Sequence, residues 1–209
     1  ADALVTFDES LRFYLTGFNS SAGVVIADNE RVVFYTDMRY YEAAKNKLEN
    51  SDIQFEKWSS GLKLTELLKG YKTLGVPLDL ITANEYKNVI NAGFNLVDSG
   101  KAFKEKMAVK RADEIKNITL ACKATDRAFI QLLKKIKVGM TENQVAALLE
   151  YLMRKNGASG TSFATIAAFG ANSSVPHHET GNTKLQFGDV ILLDFGCKIG
   201  GYCADCTRT

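Results

Sequence analysis

Several features are scarce or absent in this chain, and each shortage excludes something. Only two prolines occur in 209 residues, Pro77 and Pro176, so breakers of that kind cannot mark an internal boundary. No apolar run approaches the length of a membrane span; runs such as Ala22 to Ala27 and Val190 to Leu193 are far too short. Neither sign of charge dominates. With 26 basic and 24 acidic residues spread along the chain, there is no dense basic face for nucleic acid. Four cysteines fall unevenly, Cys122 alone and then Cys197, Cys203 and Cys206, which is not a disulfide framework for a protein of this size. The opening Ala1-Asp-Ala-Leu-Val-Thr-Phe7 has no basic flank and no long apolar stretch, so no signal peptide is expected there. Internal repeats and low-complexity segments are missing too. What remains is an ordinary globular composition, 46% apolar and 24% charged, expected to be a cytoplasmic protein without a membrane or nucleic-acid partner.

Short β-like runs alternate with helical stretches through the first hundred residues. Ala3 to Phe7 reads as a strand, and Ala22 to Ala27 with Arg31 to Thr36 as a hairpin turning at Asp28-Asn-Glu30. Met38 to Leu48 has helical character, Ile53 to Lys57 strand character, and Leu62 to Leu68 helical character. Gly75-Val-Pro77, a helix through Asn84 to Ile90 and a run from Phe94 to Val97 complete a mixed α/β domain. A composition shift at Lys101 to Arg111 reads as a charged connector, which gives domains 1–106 and 107–209. Beyond it, Asp113 to Lys137 carries Ile115, Ile118, Cys122, Phe129, Leu132, Leu133 and Ile136 at helical spacing, a candidate core stripe. Thr141-Glu-Asn-Gln144 is a capping box ahead of Val145, Leu148, Leu149, Leu152 and Met153, and Gly157 stands where a helix should end. Ser162 to Phe169 turns β-like before a loop through Pro176-His177-His178.

The terminal stretch from Gly188 reads as a β-hairpin, one strand from about Asp189 to Phe195 and the other from about Tyr202 onward. A turn centred on Ile199-Gly200 makes Asp194 and Asp205 direct neighbours across it, with Cβ atoms about 5 Å apart. A turn centred on Gly200-Gly201 makes them diagonal neighbours on one face, and a three-residue turn separates the faces. Like charges so placed, among Ile191, Leu192, Leu193 and Phe195, are expected to be partly buried and need compensation. A shared proton, a basic partner or a metal cation would serve, and hard divalent ions favour carboxylate oxygens. The plainer alternative makes one aspartate a turn residue and pairs the other with Arg208 or Lys198. His177 lies close enough in sequence to fold over the strand and exchange a proton near neutral pH. For His178 a solvated loop position is expected. Cys203-Ala-Asp-Cys206 sits in a strand and has no second such pair, so packing cysteines are expected there rather than a redox or zinc motif.

Pro176-His177-His178, the run Gly188 to Gly196 containing Asp194, and Gly201 to Thr209 containing Asp205 resemble the pita-bread metallopeptidases. That family includes aminopeptidase P, Xaa-Pro dipeptidase (prolidase) and methionine aminopeptidase. Phe13 to Phe18 and Tyr35 to Tyr40 look like the creatinase-type domain that precedes the catalytic domain in the proline-specific branch. Lys110 to Ala121 resembles the opening of that catalytic domain. The resemblance implies an α/β (α+β) architecture, a creatinase-like domain followed by the first part of a pita-bread domain. It implies two divalent metal ions, manganese first and cobalt or zinc as alternatives, with Asp194 holding one and Asp205 bridging both. It gives His177 a contact to substrate, and a metal-activated water would attack the carbonyl of a Xaa-Pro bond. Strand parity puts Thr207 on the Asp205 face, where its hydroxyl could orient a ligand. The family's other ligands, a histidine and two glutamates, have no counterpart before Thr209. The chain is therefore expected to be truncated, inactive alone, and paired with the remainder or a second copy as a homodimer. The activity implied is Xaa-Pro aminopeptidase acting on proline-containing peptides. Xaa-Pro dipeptidase, a non-catalytic peptide-binding module and a metal-free amidinohydrolase like creatinase are the alternatives.

Overall fold

The computed structural model of the chain describes residues 1–58 and 63–209. They form two compact units, Ala1–Val109 and Lys110–Thr209.

In the first unit, β1 (Ala3–Thr6) leads through α1 (Glu9–Thr16) to the hairpin β2 (Val24–Ala27) and β3 (Val32–Thr36). Then come α2 (Met38–Leu48), β4 (Ile53–Lys57), α3 (Leu64–Leu67), β5 (Thr73–Val76), α4 (Ala83–Asn91), β6 (Asn95–Asp98) and α5 (Gly100–Ala108). The strands make one mixed sheet in the order β4-β3-β2-β1-β5-β6. The hairpin turns because the Asp28 carboxylate accepts the backbone N–H groups of Glu30 and Arg31, both at 2.9 Å. Its strands are apolar on both faces. Val24, Ile26, Val33 and Tyr35 enter a core with Ala3, Val5 and Leu74, while Val25 and Phe34 meet Ala44 and Leu48 of α2. A sheet buried on both sides needs runs rather than alternation, which is why these strands read so clearly.

Three details of this unit depart from expectation. Helix α1 is capped by Asp8, whose side chain accepts from Leu11 N–H, and closes at Gly17 with φ 67°. These signals escape a search for long apolar periodicity because the helix has only eight residues. The charged stretch after residue 100 is largely helix α5, with lysines outward and Phe103 buried, so it is not an irregular connector. The helix expected from Leu62 begins at Leu64, and Leu62 itself lies outside the described residues.

In the second unit, α6 (Ala112–Leu133) packs against α7 (Glu142–Lys155). β7 (Gly160–Thr161), β8 (Ile166–Phe169), a 3-10 turn at Gly170–Ser174, β9 (Ile191–Phe195), β10 (Cys197–Ile199), β11 (Tyr202–Cys203) and β12 (Cys206–Arg208) follow. Two three-stranded sheets result, ordered β12-β9-β8 and β11-β10-β7. The α7 stripe packs as its spacing predicts, with Val145, Leu149, Leu152 and Met153 buried. The expected α6 stripe holds at Leu132, which is buried, and at Phe129 and Ile136, which pack against the core, but it breaks down elsewhere. Ile115 and Leu133 are more than half exposed, and Cys122 is exposed as well. The buried face is Ala121, Ala124, Thr125, Ala128 and Leu132, because close approach to neighbouring elements favours small side chains. Phe129 bridges the two choices, its ring stacked on that of Phe195 at 5.9 Å.

Candidate functional site

The terminal hairpin turns on Gly200 and Gly201, both left-handed at φ 56° and 84°, as a two-residue type I′ turn requires. That fixes the register: Ile199 faces Tyr202, Lys198 faces Cys203, and further down Cys206 faces Phe195 and Thr207 faces Asp194. Asp194 and Asp205 are therefore diagonal neighbours, the second of the three arrangements the sequence allows.

The hairpin bends midway. A Cβ on Gly196 would sit 2.0 Å from the Ala204 carbonyl oxygen, so only glycine lets the strands approach there. That carbonyl accepts from Ser162 Oγ at 2.7 Å, and the Gly196 carbonyl accepts from Ser162 N–H at 3.0 Å. Ser162 thus holds the bend to the segment before β8.

Burial along the hairpin shows which way each side chain faces. Leu193, Phe195 and Ala204 are buried and Cys206 half-buried against the core. The alternate residues, Asp194 (half-buried), Asp205 and Thr207 (both exposed), line the opposite face. The partial burial expected for both aspartates thus holds for Asp194 alone. Thr207 donates its hydroxyl to Asp194 Oδ1 at 3.0 Å. Neither aspartate makes an ion pair among the described residues: Arg208 reaches toward Asp126 instead, at 3.8 Å. The alternative pairing with Arg208 or Lys198 is not what the chain adopts.

The loop carrying the histidines is organised by a residue that sequence reasoning passed over. Glu142, the first residue of α7, is fully buried. Its Oε1 accepts from Phe169 N–H at 3.0 Å and from Asn172 Nδ2 at 2.9 Å. Its Oε2 accepts from Gly181 N–H at 2.9 Å and lies 2.9 Å from His178 Nε2. Burial pushes the Glu142 pKa up. The hydrogen bonds from Asn172, His178, Phe169 and Gly181 outweigh it and hold the carboxyl below its ordinary value. His178 is accordingly no solvated loop histidine, its side chain being only 16% exposed. Thr180 adds a second anchor, accepting from Ala167 N–H at 2.8 Å and donating to the Thr165 carbonyl at 3.1 Å. Between these anchors His177 stands exposed.

All four cysteines are free thiols. Cys197 is buried and its thiol contacts the Ala121 carbonyl at 3.4 Å, whereas Cys203 is exposed and does no packing.

A hard divalent cation fits the donor type of this face, because among the described residues most of the oxygen capacity of Asp194 and Asp205 is open and no cationic side chain pairs with either. The donor number is incomplete: among the described residues no group of three or more His, Cys, Asp or Glu side chains is arranged to hold a metal.

Comparison with known proteins agrees with the two-unit organisation. Residues 1–106 match the Creatinase/Prolidase N-terminal domain, and residues 116–209 match metallopeptidase family M24. An uncharacterized peptidase of Bacillus subtilis is 35% identical over 99% of this chain and 59% of its own length. The Xaa-Pro dipeptidase of Pyrococcus furiosus is 31% identical over 94% of this chain and 56% of its own. The crystal structure of an X-Pro aminopeptidase from Thermotoga maritima superposes with a TM-score of 0.90 at 30% identity, covering 99% of this chain and 61% of that one. The chain thus spans about three fifths of the length of these relatives.

Proposed function

Because the chain belongs to the pita-bread metallopeptidases of family M24, with a Creatinase/Prolidase N-terminal domain, we propose that the protein containing it is a Xaa-Pro aminopeptidase. In this reading it removes the amino-terminal residue from peptides with proline second. The observation that carries the reading is the outward face of the hairpin. Two carboxylates share it diagonally, a threonine hydroxyl donates to one of them, and among the described residues no cationic side chain forms an ion pair with either. Such an arrangement costs stability unless something external fills it.

Asp194 and Asp205 would hold the divalent ions, manganese suiting the oxygen donors, with cobalt or zinc as substitutes. When bound, the ions supply Lewis-acid polarisation and a water of lowered pKa. Thr207 donates to Asp194 Oδ1 and so helps to orient that carboxylate toward a ligand. His177 hydrogen-bonds the substrate as charge develops on the scissile carbonyl, and an imidazole can do so near neutral pH. Glu142, through His178, Asn172 and Gly181, keeps the His177 loop in place. With two donors of a larger set, the 209 residues alone are expected to bind metal weakly and turn over no substrate.

A second reading, Xaa-Pro dipeptidase, is supported by the Pyrococcus furiosus relative of that name. The deciding experiment offers Xaa-Pro and Xaa-Pro-Yaa peptides, with and without manganese, to a protein of the relatives' full length. Preferential cleavage of the longer peptide is expected; preference for the dipeptide favours the second reading. No metal-dependent cleavage of either defeats both.

A further inference from the structure

A second feature, far from the carboxylates in sequence, is left unused by this reading. Arg12 is only 3% exposed, and a buried charge ordinarily has a counter-charge beside it. Arg12 has none among the described residues. Its Nη1 donates to the Phe7 carbonyl, its Nη2 donates to the Ser20 carbonyl at 2.6 Å, and its buried Nε has no hydrogen-bond partner among the described residues. Burial lowers its pKa, and Glu9, Asp8 and Glu85 oppose that only through space. The carboxylate of Glu85 is already engaged, accepting from Thr82 N–H at 2.8 Å and from its hydroxyl at 2.7 Å in the cap of α4.

Arg12 lines a cleft of about 600 Å³ within the first unit. Its lining includes the apolar Phe7, Trp58 and Leu64, the exposed Lys63 and Asn88, and Glu85, whose carboxylate is turned to the α4 cap. The volume suits a small organic molecule, and an apolar wall with a few convergent polar groups is how such sites are built. With one N–H of each Nη already given to a backbone carbonyl, the Nε–H and a remaining Nη–H are the adjacent donors that a carboxylate would meet. Phosphate would gain little from the hydrocarbon wall.

We propose that this cleft binds a small organic carboxylate, its anionic end toward Arg12 and Lys63 and its apolar body against Trp58. The site lies wholly in the first unit and is independent of the peptidase reading.

Trp58 is the sole tryptophan of the chain, so its fluorescence reports on the cleft directly. The test titrates the 209-residue chain with 3-phenylpropionate, with the neutral 3-phenylpropionamide and with inorganic phosphate. The acid should give a saturable change in Trp58 fluorescence and a downfield shift of the Arg12 Nε–H resonance. The amide should bind at least about tenfold more weakly, the range expected for a lost charge-assisted pair, and phosphate should not saturate. Arg12→Lys, which keeps the charge and removes the fork, should weaken the acid by a similar factor. The acid–amide comparison needs no variant, so a misfolded Arg12→Lys leaves the test intact. Equal binding of acid and amide, saturation by phosphate in preference to the acid, or no saturable response to any of the three overturns the proposal. So does undiminished binding by a folded Arg12→Lys.

Discussion

Two groups of carboxylates in the second unit stand in opposite circumstances. Glu142 is fully buried and both of its oxygens are occupied, two hydrogen bonds each, by its own chain. Asp194 and Asp205 share the outer face of a hairpin, and among the described residues their one side-chain hydrogen-bond partner is the hydroxyl of Thr207. The difference separates structure from chemistry. A carboxylate whose capacity is filled from within holds the fold together. One left open beside a like charge raises the energy of the folded state and becomes useful when something outside fills it.

The largest effect should come from the open pair. In a protein of the relatives' length, Asp205→Asn should abolish metal-dependent hydrolysis of Xaa-Pro peptides, a loss of several orders of magnitude by steady-state assay. In the 209-residue chain the same substitution should change stability by less than about 0.5 kcal/mol, as expected at an exposed position. Glu142 should behave in reverse. Glu142→Ala strands four hydrogen-bonding partners and should cost the second unit about 3–4 kcal/mol, read by hydrogen exchange in α7 under urea.

The same residue gives a pH dependence of known sign. Its folded pKa lies below the unfolded value of about 4.3, so its contribution is complete above that value. It is lost as pH falls through the folded pKa. The second unit should therefore weaken in acid below about pH 4, and Glu142→Gln should flatten that part of the profile. Next in size, Gly196→Ala should cost about 1–3 kcal/mol by forcing Cβ onto the Ala204 carbonyl, measured as faster exchange across the hairpin. The smallest effect belongs to Thr207→Val. Loss of one exposed hydrogen bond to Asp194 should cost about 0.5–1 kcal/mol in the chain, with a larger relative effect on metal affinity than on stability.

The same contrast explains what the sequence could show. Both aspartates were legible because hairpin parity depends only on spacing, and the choice between direct and diagonal pairing turned on whether two glycines or one occupied the turn. The buried strands β2 and β3 were legible because two-sided burial leaves an apolar run. Glu142 was not, since nothing in Thr141-Glu-Asn-Gln144 marks it off from a solvated residue of a helix start. Its partners Phe169, Asn172, His178 and Gly181 are distant in sequence and meet only in the fold. His178 was misjudged for the same reason. The α6 face was read only in part, because spacing favours large side chains, whereas packing there selected alanines beside Leu132.

The most direct test of the account is manganese binding, followed by electron paramagnetic resonance, in a protein of the relatives' length. Three forms should be compared: unaltered, Asp194→Asn with Asp205→Asn, and Glu142→Gln. The aspartate variant should stay folded and lose manganese, while Glu142→Gln should lose stability and keep it. Full manganese binding by the folded aspartate variant would contradict the account.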